Sequence, residues 1–172
     1  MNKIWINVRW FFVKSFMAVK NLVRWFPVIW EDKDWDDSFI YKILQFKLKN
    51  QAEYIGRRDW HTGAKRDAEK MMTCVRLIDK MTEEYYGMEH YEYYDFDMST
   101  DNPNRYLEFK TTRDDLDTYY AKYPLTFNKI AAQYGDTKDR TSTAMLMGMD
   151  RQEKARKLLF KILEKNIEQW WD

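Results

Sequence analysis

The sequence predicts an all-α fold, a bundle of about four long helices with an irregular aromatic and acidic insertion between the third and the last. Three observations carry this. The 172 residues hold five glycines and three prolines, too few for the frequent turns of a β-rich chain. Apolar residues recur at helical spacing through four long stretches. Between the third and fourth stretches the composition shifts: residues 82–117 carry eleven acids against Arg105, Lys110 and Arg113, with tyrosines at 85, 86, 91, 93 and 94. A chain of this length buries a real core, and residues 1–172 are expected to form a single helical domain.

The first helix is expected over 4–25. Ile4, Trp5, Val8, Phe11, Phe12, Ser15, Val19, Leu22, Val23 and Phe26 give it a wide apolar stripe, and with Lys3 just ahead of it the segment carries five basic residues and no acid. Such a stripe fits a core or a subunit interface, or else a surface helix that meets a membrane or an anionic partner. An oligomer interface is the expectation here. Pro27 should end the helix, because proline disfavours the helical conformation of the residue before it. The stretch 25–35 holds Trp25, Phe26, Trp30 and Trp35, which reads as a joint plugging one end of the bundle against Trp170 and Trp171. Asp34, Asp36, Asp37 and Ser38 supply caps for a second helix over about 37–57. Phe39, Ile40, Ile43, Leu44, Phe46, Leu48 and Ile55 are expected to give that helix its buried face, and Gly56 is its expected stop.

A third helix follows over about 63–86, with Met71, Met72, Val75, Ile78 and Met81 inward. The insertion 82–124 should hold no more than short strands or helical turns, around 91–97 and 105–111, with Ser99–Asn104 as a turn. Two short helical pieces are expected over 113–123 and 125–134, divided by Pro124 and ended by Gly135. The last helix starts between 139 and 143. It runs through Met145, Met149, Ala155, Leu159 and Leu163 to Trp170 and Trp171.

Charge and motifs exclude several classes. Twenty-nine basic residues balance twenty-eight acidic ones, which argues against a dedicated nucleic-acid binder. Cations interrupt every apolar run of the first thirty residues, so membrane insertion is not expected, nor is a signal peptide. The single cysteine, Cys74, forms no internal disulfide and sits at an apolar helical position, where a buried, inert thiol is expected. No phosphate loop, nucleophile elbow or zinc-protease helix is present. Glu83, Glu84, Glu89 and His90 follow no metal-ligand spacing, and Asp32, Asp34, Asp36 and Asp37 are accounted for by helix capping. No cofactor and no enzymatic activity are expected.

The richest binding chemistry lies at residues 57–66. Thr62 or Asp59 would cap the third helix, whose positive end attracts anions. Arg57, Arg58, Lys65 and Arg66 would hold phosphate, and Trp60 and His61 offer surfaces on which a base stacks. A phosphorylated, nucleotide-like ligand fits this set. An ordinary inter-helix turn, its charges paired with Asp59, Asp67 and Glu69, fits it too.

In combination, the run from Trp25 to Asp36 (Trp-Phe-Pro-Val-Ile-Trp-Glu-Asp-Lys-Asp-Trp-Asp), Phe46-Lys47-Leu48-Lys49, Gly63-Ala64-Lys65-Arg66-Asp67-Ala68 and the terminal Trp170-Trp171-Asp172 resemble a group of small tailed-phage and prophage proteins. The resemblance covers both ends and the middle of the chain, and least of all 82–117. It implies a phage origin and expression in the host bacterial cytoplasm, and it transfers no catalytic residue. In that setting the expected function is an anti-defence sponge, a homo-oligomer that sequesters a nucleotide-like immune signal. The alternative is a structural or host-protein interaction role, with the tyrosines of 85–96 facing a partner.

Overall fold

The computed structural model describes residues 3–30, 38–58, 62–97, 110–135 and 139–171. Among them are seven α-helices and one small antiparallel sheet, so the all-α expectation holds. The order is α1 (Lys3–Ile29), α2 (Ser38–Arg58), α3 (Ala64–Thr82), α4 (Tyr85–Met88), β1 (Tyr94–Asp97), β2 (Lys110–Asp114), α5 (Leu116–Lys122), α6 (Pro124–Tyr134) and α7 (Arg140–Asn166). A 3-10 turn, Glu89–Tyr93, joins α4 to β1, and another, Gln169–Trp171, follows α7.

Local chemistry accounts for most of the boundaries. Asp139 caps α7, its side chain accepting from the Ser142 N–H. Pro124 opens α6 at the position where a missing N–H costs no helical bond. Gly135 closes it at φ 71°, a left-handed conformation that glycine adopts without penalty. Two expected boundaries shift. Pro27 does not stop α1, which continues to Ile29. Lying in the last turn, the proline removes a single intrahelical bond, and Trp30 N–H still reaches the Phe26 carbonyl at 2.9 Å. Gly56 does not stop α2 either. A Cβ there would meet the Ala68 methyl at 3.4 Å, an ordinary contact, so α2 and α3 lie close at this point without requiring a glycine.

Two apolar clusters build the body. The larger joins Leu48 and Ala52 of α2, Met71, Cys74, Val75, Ile78 and Met81 of α3, Ala155, Leu159 and Leu163 of α7, and Trp170. The smaller joins Leu116 and Tyr119 of α5, Ile130 of α6, and Ala144 and Met147 of α7. The two ends of α7 therefore line different clusters. Cys74 is fully buried, and burial pushes its thiol up to about 11, which makes it unreactive.

The joint expected at 25–35 is only partly found. Trp25 packs edge-on against Phe46 of α2 at 4.8 Å between centroids. Trp170 is buried, but among α2, α3 and α7. Trp30 is 74% exposed and touches only the Phe26 ring among the described contacts, so it plugs nothing. Trp35 and Asp32, Asp34, Asp36 and Asp37 lie outside the described residues, as does Ser99–Asn104.

Candidate functional site

Four of the six residues expected to bind ligand can be placed. Arg57 and Arg58 end α2, and Lys65 and Arg66 fall in the first turn of α3. All four are exposed. Arg57 approaches Glu53 at 3.7 Å, Arg58 lies over the Tyr54 ring at 4.7 Å, and Arg66 approaches Asp67 at 3.5 Å. The Arg57–Glu53 pair, exposed on both sides, is weak and exchangeable, whereas the Asp67 carboxylate is buried and is approached by Lys70 as well. Trp60 and His61 lie outside the described residues. Thr62 does not cap α3. Gly63 is the N-cap residue and makes no side-chain cap bond, the helix beginning one residue later than a Thr62 cap requires; Asp59, the other expected cap, lies outside the described residues.

A second constellation went unread in the sequence. Glu89 is 3% exposed and sits between α4, α5 and α7. Lys122 Nζ donates to its Oε1 at 2.7 Å, and Tyr123 Oη donates to both oxygens at 2.8 and 3.1 Å. Arg151 Nη1 donates to Oε2, and its guanidinium carbon lies 3.6 Å from the Tyr123 ring centroid. Burial alone would raise the Glu89 carboxyl. The bonds from Lys122, Arg151 and Tyr123 outweigh it and hold the group below the ordinary carboxylate range. Tyr123 is pushed up to about 12, by burial first and by its bond to Glu89 second. The charges here already face one another, so the cluster fastens the 3-10 turn to α5 and α7. Glu83, Glu84, Glu89 and His90 do not converge on a metal, and no group of three possible ligands occurs among the described residues.

Nothing in the spacing of Tyr85-Tyr86-Gly87-Met88-Glu89-His90 separates Glu89 from its acidic neighbours. The available signal was Gly148, an isolated glycine inside a helical pattern, which marks close backbone approach. A Cβ at Gly148 would lie 2.8 Å from the Tyr86 carbonyl oxygen and 3.3 Å from Gly87 Cα. Its absence lets α4 rest on α7, one turn before Arg151.

The third surface is α1. Its attachment to the body is confined to its final turns: Trp25 on Phe46, Arg24 to the Asn50 side chain, and Pro27 and Val28 over a groove with Gln45 and Phe46. Placing successive residues 100° apart puts Phe11, Leu22, Phe26, Val19, Phe12 and Phe16 on an uncharged arc of about 140°. Val28 lies opposite its centre, and Trp25 lies about 40° beyond its Phe11 border. Phe16 is 72% exposed, Phe11 and Phe12 are each 66% exposed and Val23 is 68% exposed, and on the Val28 side Trp10 and Met17 are 59% and 62% exposed. The stripe expected to be covered is thus open, as is the rest of the described helix ahead of Trp25 apart from half-buried Ser15. Among the described residues no helix is long and apolar enough to cross a membrane. No protein-family model matches this chain, and neither a curated protein nor a solved structure matches it.

Proposed function

We propose that this chain is a non-enzymatic docking protein that meets its partner through α1. One observation supports the reading above the others: a broad apolar arc of α1 is left uncovered while the helix is held to the body only by its final turns. Contiguous apolar surface of this kind marks interaction sites on folded proteins. The Glu89 cluster supports the non-enzymatic half, since its carboxylate is saturated by Lys122, Tyr123 and Arg151.

The double variant Phe12→Glu/Val19→Glu tests the reading. Wild-type protein should bind a hydrophobic-surface dye through α1, and the variant should lose that signal. Its unfolding midpoint should stay within about 0.5 kcal/mol of wild type, as for surface substitutions. A variant that unfolds, or a wild type that binds no dye, would show that the chain's own body covers the stripe, and the reading fails.

A second reading rests on the turn between α2 and α3. Exposed Arg57, Arg58, Lys65 and Arg66 flank the first turn of α3, whose N-cap residue Gly63 makes no side-chain cap bond, a combination suited to a phosphorylated, nucleotide-like ligand. In the phage setting that the sequence resemblance implies, that ligand would be an immune signal and the protein a sponge. A thermal-shift screen with cyclic oligonucleotides and ADP-ribose derivatives should stabilise wild type and not Arg57→Gln/Arg66→Gln. No shift at hundreds of micromolar removes this reading.

A further inference from the structure

From the same face we infer that the partner of α1 is an anionic lipid surface, on which the helix lies flat without crossing. The inference rests on the docking reading and adds the chemistry of the partner. Three features favour lipid. First, α1 beyond its opening Lys3 carries Arg9, Lys14, Lys20 and Arg24, and it holds no acid, so the partner must bring negative charge. Second, all four cations fall outside the uncharged arc, and Arg9 and Lys20 fall within about 40° of its Phe16 border. Long cationic side chains at such a border lie along apolar surface while their charged ends reach headgroups. Third, the helix up to Lys20 is exposed, Ser15 alone being half-buried among its described side chains, so the leading half stands clear of the body and is free to lie on a plane.

A second copy of the chain fits the same face less well. Two α1 helices packed stripe to stripe would bring cations against cations along their borders, with no acid on either helix to pair with them. A bilayer surface supplies the opposite charge along its whole extent, and each Lys or Arg near it strengthens binding several-fold.

The test is flotation of the full chain with vesicles of phosphatidylcholine containing about one-third phosphatidylglycerol, beside vesicles of phosphatidylcholine alone. Sedimentation velocity without lipid runs in the same buffer. Wild type should float with the anionic vesicles, and at least tenfold more weakly with the neutral ones. Arg9→Gln/Lys20→Gln should weaken anionic binding by about tenfold or more and flatten its salt dependence. Phe12→Glu/Val19→Glu should abolish it with the helical circular dichroism unchanged. Equal flotation with both vesicle types overturns the charge-based inference. No flotation, with a dimer that Phe12→Glu/Val19→Glu dissolves, overturns lipid as the partner and leaves docking through α1 standing, with a second copy on the face. No flotation, with a monomer whose dye binding the double variant leaves unchanged, overturns both.

Discussion

Replacing Glu89 by glutamine keeps the shape of the side chain and removes its charge. The carboxylate is 3% exposed and accepts from Lys122, Tyr123 and Arg151. Those partners do not count equally. Lys122 is 44% exposed and can turn to solvent, so its loss costs little. The Arg151 side chain is 10% exposed and lies between the Tyr123 ring and the carboxylate, with no comparable escape. Removing one partner of a buried pair typically costs 3–5 kcal/mol, and the partial exposure of this site places Glu89→Gln near the lower end, at about 3 kcal/mol. For a chain of this size that lowers the melting temperature by roughly 6–12 °C. Urea unfolding followed by far-UV circular dichroism measures it, with exposed Glu83→Gln as a control expected within about 0.5 kcal/mol of wild type. Arg151→Met made in the Glu89→Gln background should cost far less than in wild type, because the two residues act as one unit. A Glu89→Gln loss below about 1 kcal/mol, or additive effects in the double variant, would refute the cluster as a fastening of the fold.

Other outcomes follow from the same coordinates. Burial lowers the pKa of His90 from its ordinary 6.5, so the unfolded chain takes up that proton first; stability should begin to fall as pH drops below about 6.5 and level off below the folded pKa. The depressed Glu89 carboxyl acts in the same direction lower down, its contribution being lost as pH falls below about 4.5 through the folded value; urea midpoints from pH 8 to 3 should show both windows, and Glu89→Gln should lack the second. Gly148→Ala forces a methyl against the Tyr86 carbonyl and should cost about 1–3 kcal/mol by chemical denaturation, whereas Gly87→Ala, with open space around its Cβ, should cost less. Leu159→Ala in the larger cluster should lose about 2–5 kcal/mol, against under about 0.5 for exposed Trp30→Phe.

Periodicity made the helices legible. The apolar spacing of Met71, Val75 and Ile78, or of Ala155, Leu159 and Leu163, repeats often enough to set both helix type and inward face, and the structure buries those residues. Ends were harder. The third helix stops at Thr82 instead of near 86, because Glu84 takes a left-handed φ of 52° and turns the chain into α4. That conformation is rare for glutamate and leaves no mark in composition. The Glu89 cluster was illegible for a related reason: its partners stand at 122, 123 and 151, and only the docking of α4 on α7 brings them together. For α1 the stripe was plain in the sequence, but spacing does not say whether a stripe faces inward. The exposure of Phe11, Phe12, Phe16 and Val19 decides it, the helix being held only in its last turns through Trp25 and Arg24. At 57–66 the cations were readable as a group, whereas the missing side-chain cap depended on a one-residue difference in where α3 begins.

The division of α7 between two clusters has a consequence for the order of folding. The α2–α3 hairpin is local in sequence and can form early, since short loops close at small entropic cost. Neither cluster is complete without α7, which reaches α3 across a long separation; Gln152 Nε2, for example, donates to the Met81 carbonyl at 3.2 Å. During synthesis, Met71 and Ile78 wait on one side and Leu116 and Tyr119 on the other until residues beyond Arg140 emerge. One late helix then closes both at once. The two clusters should therefore gain and lose structure in a single transition, and a nascent chain stalled before α7 would present two sticky surfaces to a chaperone.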